Sequence, residues 1–354
     1  MTQQQNSQSK IKLLVTGGSG FIGSHTILAL LRTGKYEISV FDDLICGHEA
    51  ALKEVEKATG QTVALTKGNL LNYSEINNCV AAVKPEAVVH FAALIQAGKS
   101  MQTPTEFFEN NISGSINLIK SMQTNGVKKI VFSSTAAVYG DDANLPIKED
   151  ADLKPESWYG YSKLVVENLL RSLASENALE SEKVDSVILR YFNATGSDPD
   201  GILGDDHMPL THLIPLLIQK ALGIRDKFTV YGTDYPTPDG TCIRDYIHVA
   251  DLASAHVLAV NYVLNNSGSD MFNVATGKGS SVKEVISALK EIHGEFELDY
   301  GARRPGDPAQ LYADCSKIKQ KLGWEPKYSL KDSISHLYSW FKQHPKGYGD
   351  KGQS

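Results

Sequence analysis

Thr16-Gly17-Gly18-Ser19-Gly20-Phe21-Ile22-Gly23 follows directly on the apolar run Ile11-Lys12-Leu13-Leu14-Val15 and opens a helix-patterned stretch from Phe21 to Leu31. A strand, a glycine turn and a helix in that order bring free backbone N–H groups and a helix N-terminus to one point. That geometry attracts an anionic pyrophosphate. Gly17 permits the tight turn, Gly20 lets a phosphate reach the backbone, and Gly23 lets the helix press on the strand. The glycines read as G-x-x-G-x-x-G from Gly17 or as G-x-G-x-x-G from Gly18, so the motif alone leaves a ligand-free turn open. The next strand, Glu37-Ile38-Ser39-Val40-Phe41, ends in Asp42, nineteen residues after Gly23. An acid about twenty residues on grips the adenosine ribose hydroxyls in a dinucleotide fold, and its charge repels a 2′-phosphate. NAD is therefore favoured over NADP. The plainer alternative is that Asp42 and Asp43 cap the following loop.

Composition narrows the class. The 354 residues suit one large α/β domain or one domain with a smaller companion, and 42% apolar with 21% charged residues describes a water-soluble globular chain. A net charge of −6 and a pI near 5.9 argue against nucleic acid or an acidic membrane as the main partner. No apolar run approaches the ~18 residues of a membrane span. The first nine residues, Met1 to Ser9, are Gln/Ser-rich without an apolar core, which predicts a disordered tail rather than a signal peptide. Cys46, Cys79, Cys242 and Cys315 are scattered without C-x-x-C spacing, so neither a disulfide framework nor a zinc site is expected. His25, His90 and His248 lie in apolar or helical contexts that suit structural hydrogen bonding. These features predict a cytoplasmic protein without a metal.

Through the first half, strand-like runs at 11–16, 37–41, 62–66, 86–92, 128–134 and 184–190 alternate with helical patterns near 21–33, 49–59, 74–83, 104–125 and 158–176. That alternation predicts an α/β fold: a doubly wound parallel Rossmann-type sheet, with ligand at the carboxyl ends of its strands. After Arg190 the pattern changes to an Asn-, Gly-, Asp- and Pro-rich stretch, Asn193 to Pro209, and a short helix at 211–222. A strand near 228–231, a loop at 234–241, a strand or turn near 272–275 and a helix at 281–293 follow. The division expected is a dinucleotide-binding domain at 10–191 and a smaller α/β substrate domain at 192–348, with some later segments returning to the first.

Tyr159-Gly160-Tyr161-Ser162-Lys163 starts a long helix, and Tyr159 and Lys163, four apart, share a face. A free tyrosine titrates near pH ~10, and a neighbouring ammonium favours the phenolate. Bringing that value to ~7 takes roughly 4 kcal/mol, within reach of one close lysine plus a nicotinamide cation. Such a phenolate takes the proton from a sugar hydroxyl as hydride leaves the same carbon. A surface helix pair is the bland reading of Y-x-x-x-K; the glycine turn and Asp42 argue against it.

With the strand ending Val131-Phe132-Ser133-Ser134-Thr135, the chain resembles the extended short-chain dehydrogenase/reductases, and within them the UDP-glucose 4-epimerases, from about Lys10 to Tyr348. The resemblance rests on the glycine turn, His90 to Ala93, Asn110-Asn111, Ser133 to Thr135, Tyr159 with Lys163, and Arg190 to Asn193. Two more specific segments extend it, Asp239 to His248 and Arg303 to Asp307.

What the resemblance implies is a set of roles. Tyr159 is the base, Lys163 holds the nicotinamide ribose, and Thr135 bonds the sugar near its 4-hydroxyl. Gly17, Gly20, Phe21, Ile22, Gly23, Asp42, Asn69, Leu70, Phe91, Ala92, Ala93, Asn110, Ser133 and Phe192 surround NAD, together with Tyr159 and Lys163. Asn193, His212, Leu213, Arg244 and Arg304 hold the sugar nucleotide about its pyrophosphate, Asp307 takes the uridine ribose, Phe228 to Tyr231 border the uracil, and Leu311 walls the hexose. Arginine suits phosphate because its planar fork bonds two oxygens at once; surface salt bridging is the alternative for Arg244 and Arg304.

Four positions depart from the best-known bacterial pattern: Asn69 for an acid at the adenine, Ile95 for a lysine at the cofactor phosphates, His212 for an asparagine, and Leu311 for a tyrosine. The Thr211-His-Leu-Ile-Pro215 segment resembles another bacterial branch of epimerases. Family dehydratases place Asp-Glu after the strand threonine and decarboxylases a Glu; here Ala136-Ala137-Val138 follow Thr135. The resemblance thus implies interconversion of UDP-glucose and UDP-galactose through a 4-keto intermediate. Epimerases of N-acetylhexosamines, pentoses or uronates, and a non-catalytic NAD sensor, are the alternatives. The helices at 104–125 and 158–176 suit a four-helix homodimer interface.

Overall fold

The computed structural model describes residues 9–349, apart from Asp142, Met208 and residues 304–307. The expected tail thus falls almost wholly outside the described residues. In chain order the strands are β1 (Ile11–Thr16), β2 (Tyr36–Asp42), β3 (Ala64–Lys67), β4 (Ala87–His90), β5 (Lys129–Thr135), β6 (Asp185–Tyr191), β7 (Asn193–Thr195), β8 (Thr229–Tyr231), β9 (Ile243–Arg244), β10 (Tyr246–His248), β11 (Ser269–Val274), β12 (Ser280–Ser281), β13 (Asp299–Gly301) and β14 (Gln310–Leu311). The helices are α1 (Phe21–Arg32), α2 (Glu49–Thr59), α3 (Tyr73–Val83), α4 (Ala97–Ser100), α5 (Pro104–Phe108), α6 (Gly114–Thr124), α7 (Trp158–Leu173), α8 (Leu213–Ala221), α9 (Val249–Asn265), α10 (Val282–His293), α11 (Ser316–Leu322) and α12 (Leu330–Gln343).

Seven strands form one parallel sheet in the order β11-β6-β5-β4-β1-β2-β3. Its inner strands are near-continuous apolar runs because helices cover both faces. One core packs α1, α2 and α9 on the sheet, with Leu13, Val15, Ile27 and Leu252 fully buried. The opposite core packs α3, α6 and α7, with Leu14, Val80, Leu118 and Leu170 fully buried. A third core joins α8, α10 and α12 around Leu217, Val285 and Leu337. Capping boxes start α10 at Ser281 and Glu284 and α12 at Ser329 and Asp332.

The strand order reverses at β1, whose neighbours are β2 and β4, and this switch point is where doubly wound sheets bind ligands. Thr16, Asp42, His90, Thr135 and Tyr191 all end strands at the same edge. His90 braces that edge: one ring nitrogen lies 2.7 Å from Thr16 Oγ1 and the other 2.9 Å from Ser115 Oγ on α6.

Three expectations change. The helix at 104–125 starts at Pro104 but carries a π-helical turn, Glu109–Ser113, between α5 and α6. That extra residue turns Asn111 inward, where its amide bonds both backbone groups of Leu94 and Ser162 Oγ on α7. The segment near 272–275 is β11, a full member of the large sheet beside β6. The 17-residue helix α9, absent from the sequence reading, packs between α1 and strands β5 and β6.

Glu167 on α7 and Arg190 on β6, both fully buried, meet at 2.6 Å, and Arg190 also bonds the Tyr139 hydroxyl and the Glu149 carbonyl. Removing one partner strands a buried charge, which costs about 3–5 kcal/mol. Glu167→Leu is expected to lower the unfolding free energy by that amount in urea titration. A loss below about 1 kcal/mol would show that the pair does not brace α7 against the sheet.

Candidate active site

The carboxyl edge of the sheet opens into a cleft of about 410 Å³. Gly17, Gly20, Phe21, Ile22, Gly23, Asp42, Asn69, Leu70, Phe91, Ala92, Ala93 and Asn110 line it toward β1 and β2. Thr135, Tyr159, Phe192, Asn193, His212 and Leu311 line it on the side of β5, β6 and the C-terminal segments.

At the glycine turn, Gly17 has φ +72° and a Cβ there would meet the Ala92 nitrogen at 2.5 Å; one at Gly23 would meet the Gly17 carbonyl oxygen at 2.3 Å. Those two glycines answer to packing. Gly20 does not, since a Cβ there meets only the Gly17 oxygen, at 3.4 Å. Gly20 is also the N-cap of α1, with no side-chain cap and no acid in the first turn. The first N–H groups of α1 therefore face the cleft uncapped, which fits a diphosphate. Asp42 accepts hydrogen bonds from Ser19 N and Leu44 N, both at 2.9 Å, so it orders the adjoining loops while still walling the cleft. Burial raises its pKa, and the two backbone donors oppose that shift. Asn69 Oδ1 already accepts the Leu71 N–H at 2.8 Å, leaving one lone pair for a ligand donor. Near Ile95, Lys99 supplies a cation to the wall, partnered by Glu106 at 2.8 Å.

Ser157 caps α7, and a Cβ at Gly160 would meet the Ala137 carbonyl oxygen at 2.2 Å. That close approach presses the first turn of α7 onto the turn after β5, and Tyr159 and Thr135 both line the cleft. Lys163 does not reach the cleft wall. Its Nζ donates to the Ser133 carbonyl at 2.8 Å and lies 4.8 Å over the Phe132 ring. The expectation that Lys163 lowers the Tyr159 pKa is not met in the protein alone: burial pushes the phenol up to about 12, against the Thr135 hydrogen bond. Burial likewise lowers Lys163 to about 7, with Glu167 opposing. Both residues are buried in the same low dielectric, which disfavours either charge.

Ser133 also lies behind the wall, its Oγ 2.9 Å from His256 Nε2. Leu213 starts α8, Phe228 packs in the third core, Tyr231 is exposed on β8, and Arg244 pairs in register with Leu311; none of the four walls this cleft. Arg304 and Asp307 lie outside the described residues. The sequence reading missed Tyr191 and His207, both in the wall. The strand end at Tyr191 signalled the first; nothing in the spacing signalled the second. Burial opposes charge on His207, but Asp205 beside it prevails and raises its pKa, while Asp205 is itself lowered.

The GDP-mannose 4,6 dehydratase family model matches residues 14–337. A UDP-glucose 4-epimerase of Halalkalibacterium halodurans is 43% identical over 96% of this chain and 98% of its own length. The chain belongs to the UDP-glucose 4-epimerase family. The epimerase of Bifidobacterium longum, solved with NAD+ and UDP, superposes with a TM-score of 0.89 at 38% identity, over 95% of this chain and 99% of its own. The UDP-Glc/GlcNAc 4-epimerase of Campylobacter jejuni gives 0.80 at 40% identity, over 94% of this chain and 99% of its own.

The glycine geometry separates binding from folding. Gly20→Ala is expected to keep the melting temperature and to cut retention of a bound dinucleotide about tenfold or more, the scale of a lost charge-assisted hydrogen bond. Gly23→Ala should destabilise the fold itself. Dinucleotide retained by Gly20→Ala at the unmodified level would place the diphosphate elsewhere.

Proposed function

We propose that the protein interconverts UDP-glucose and UDP-galactose by oxidation at C4, rotation of the 4-keto sugar while its UDP stays anchored, and reduction on the opposite face. As a member of the epimerase family it is an isomerase, and its cofactor is NAD. Supporting the reading is that Tyr159 and Thr135 line one cleft with the uncapped start of α1 and Asp42.

When bound, NAD supplies the hydride acceptor and a cationic ring whose charge favours the Tyr159 phenolate. The α1 N-terminus and Gly20 hold its diphosphate, and Asp42 takes the adenosine ribose hydroxyls. Tyr159 accepts the C4 hydroxyl proton and returns it after rotation, with Thr135 bonding the same oxygen. Lys163 is fixed on the Ser133 carbonyl behind the phenol. Ala136 and Ala137 line the cleft beside Thr135, so no carboxylate stands there to eliminate water or assist decarboxylation. Asn193 and His212 hold the UDP, with Leu213, Phe228, Tyr231, Arg244, Arg304 and Asp307 as further contacts carried by the family resemblance. The reading includes a cytoplasmic homodimer built on α5 to α7, where Trp158 and Tyr161 are exposed. Among the described residues no helix is long and apolar enough to cross a membrane.

Tyr159→Phe removes one hydroxyl and keeps the ring. Turnover of UDP-galactose should fall ~10²-fold or more, with little change in UDP-sugar binding. Near-native turnover would remove Tyr159 from the proton transfer.

Leu311, on β14 and in the cleft wall, bears on sugar range. Leucine leaves more room than the family tyrosine, and one apolar contact discriminates by only ~1–3 kcal/mol. UDP-glucose and UDP-galactose should be preferred, with weak activity at most on N-acetyl forms. Leu311→Ser should raise kcat/KM for UDP-N-acetylgalactosamine relative to UDP-galactose, and Leu311→Tyr should abolish it. Equal kcat/KM for both classes in the unmodified protein would show that Leu311 is not the gate.

A further inference from the structure

Asp205, His207 and His212 stand on the segment between β7 and α8. One ligand-capable atom from each lies within 4.8 Å of the other two. The two imidazole rings are 5.2 Å apart between centroids, inclined at 56°. Asp205 is fully buried and His207 is 9% exposed. His207 Nδ1 makes a short hydrogen bond to Asp205 Oδ1. Among the described residues, neither the second Asp205 oxygen nor His207 Nε2 has a hydrogen-bond partner.

Two orphaned polar atoms on one buried pair are costly, and they call for a ligand. A carboxylate that accepts Nδ1–H of a histidine fixes the tautomer and leaves the Nε2 lone pair free, the usual support of a metal-bound imidazole. We propose that His207 and His212, with Asp205 orienting the His207 ring, form a binding site for a divalent transition-metal ion of the Zn²⁺ class. Two imidazoles suit Zn²⁺ or Co²⁺, whereas Mg²⁺ and Ca²⁺ take oxygen ligands. An ion enters past His212, which is exposed. His207 and His212 both border the cleft, so a water or an anionic ligand there completes the coordination. Metal binding is read without NAD or a UDP-sugar, so its test is separate from that of the proposed reaction, which also places His212 at the UDP.

Chelator-treated protein is titrated with Co²⁺ near pH ~8. Visible absorption reads the coordination, elemental analysis after desalting reads the Zn²⁺ stoichiometry, and the melting temperature reads stabilisation. One equivalent per chain, Co²⁺ ligand-field bands and a raised melting temperature are expected, with no response to Mg²⁺. Asp205→Asn and His207→Ala should each weaken Co²⁺ binding ~10-fold or more. His212→Asn, at an exposed position where misfolding is not at issue, should do the same. Binding that is substoichiometric at micromolar Co²⁺, unaltered in His212→Asn, or matched by Mg²⁺ would overturn the site.

Discussion

The buried pair of Glu167 and Arg190 ties together the two elements on which the candidate chemistry stands. Glu167 lies one turn beyond Lys163 on α7, and Arg190 lies one residue before Tyr191 on β6. Ser134, beside Thr135 on β5, also donates to Glu167. One desolvated carboxylate therefore fixes the helix carrying Tyr159 against the two strands whose ends form the cleft floor. Two charges taken out of water leave little room for an alternative register, because any slip separates them without hydration.

The same burial governs proton chemistry at the site. Low dielectric raises the Tyr159 phenol and lowers the Lys163 ammonium, and it holds His90 near 3 and His256 near 4. The neutral histidines serve as fixed hydrogen-bond partners beneath the strand ends rather than as acids. In the proposed reaction a phenol held this high needs a positive charge beside it, which the cofactor would bring. Helical spacing between Tyr159 and Lys163 therefore says less about acidity than it first suggests.

Periodicity made the first half legible because its inner strands are largely buried apolar runs and its helices are amphipathic. It failed for α9. Val249 to Asn265 lies between α1 and the sheet and is apolar on most sides, with Asp251 and His256 buried as well, so no stripe stands out. The π-helical turn at Glu109–Ser113 was equally hidden, since one extra residue per turn leaves no compositional mark.

From the chain alone came the doubly wound sheet, the glycine turn, the acid after β2 and the family resemblance, because each is a matter of local pattern and spacing. Tertiary structure alone decided which residues meet. It set Lys163 behind the wall on the Ser133 carbonyl, brought Asp205, His207 and His212 together, and returned β11 to the sheet after an excursion of nearly eighty residues. The reason is physical: spacing along a helix or strand fixes which side chains share a face, but the field and the partners at that face come from segments distant in sequence.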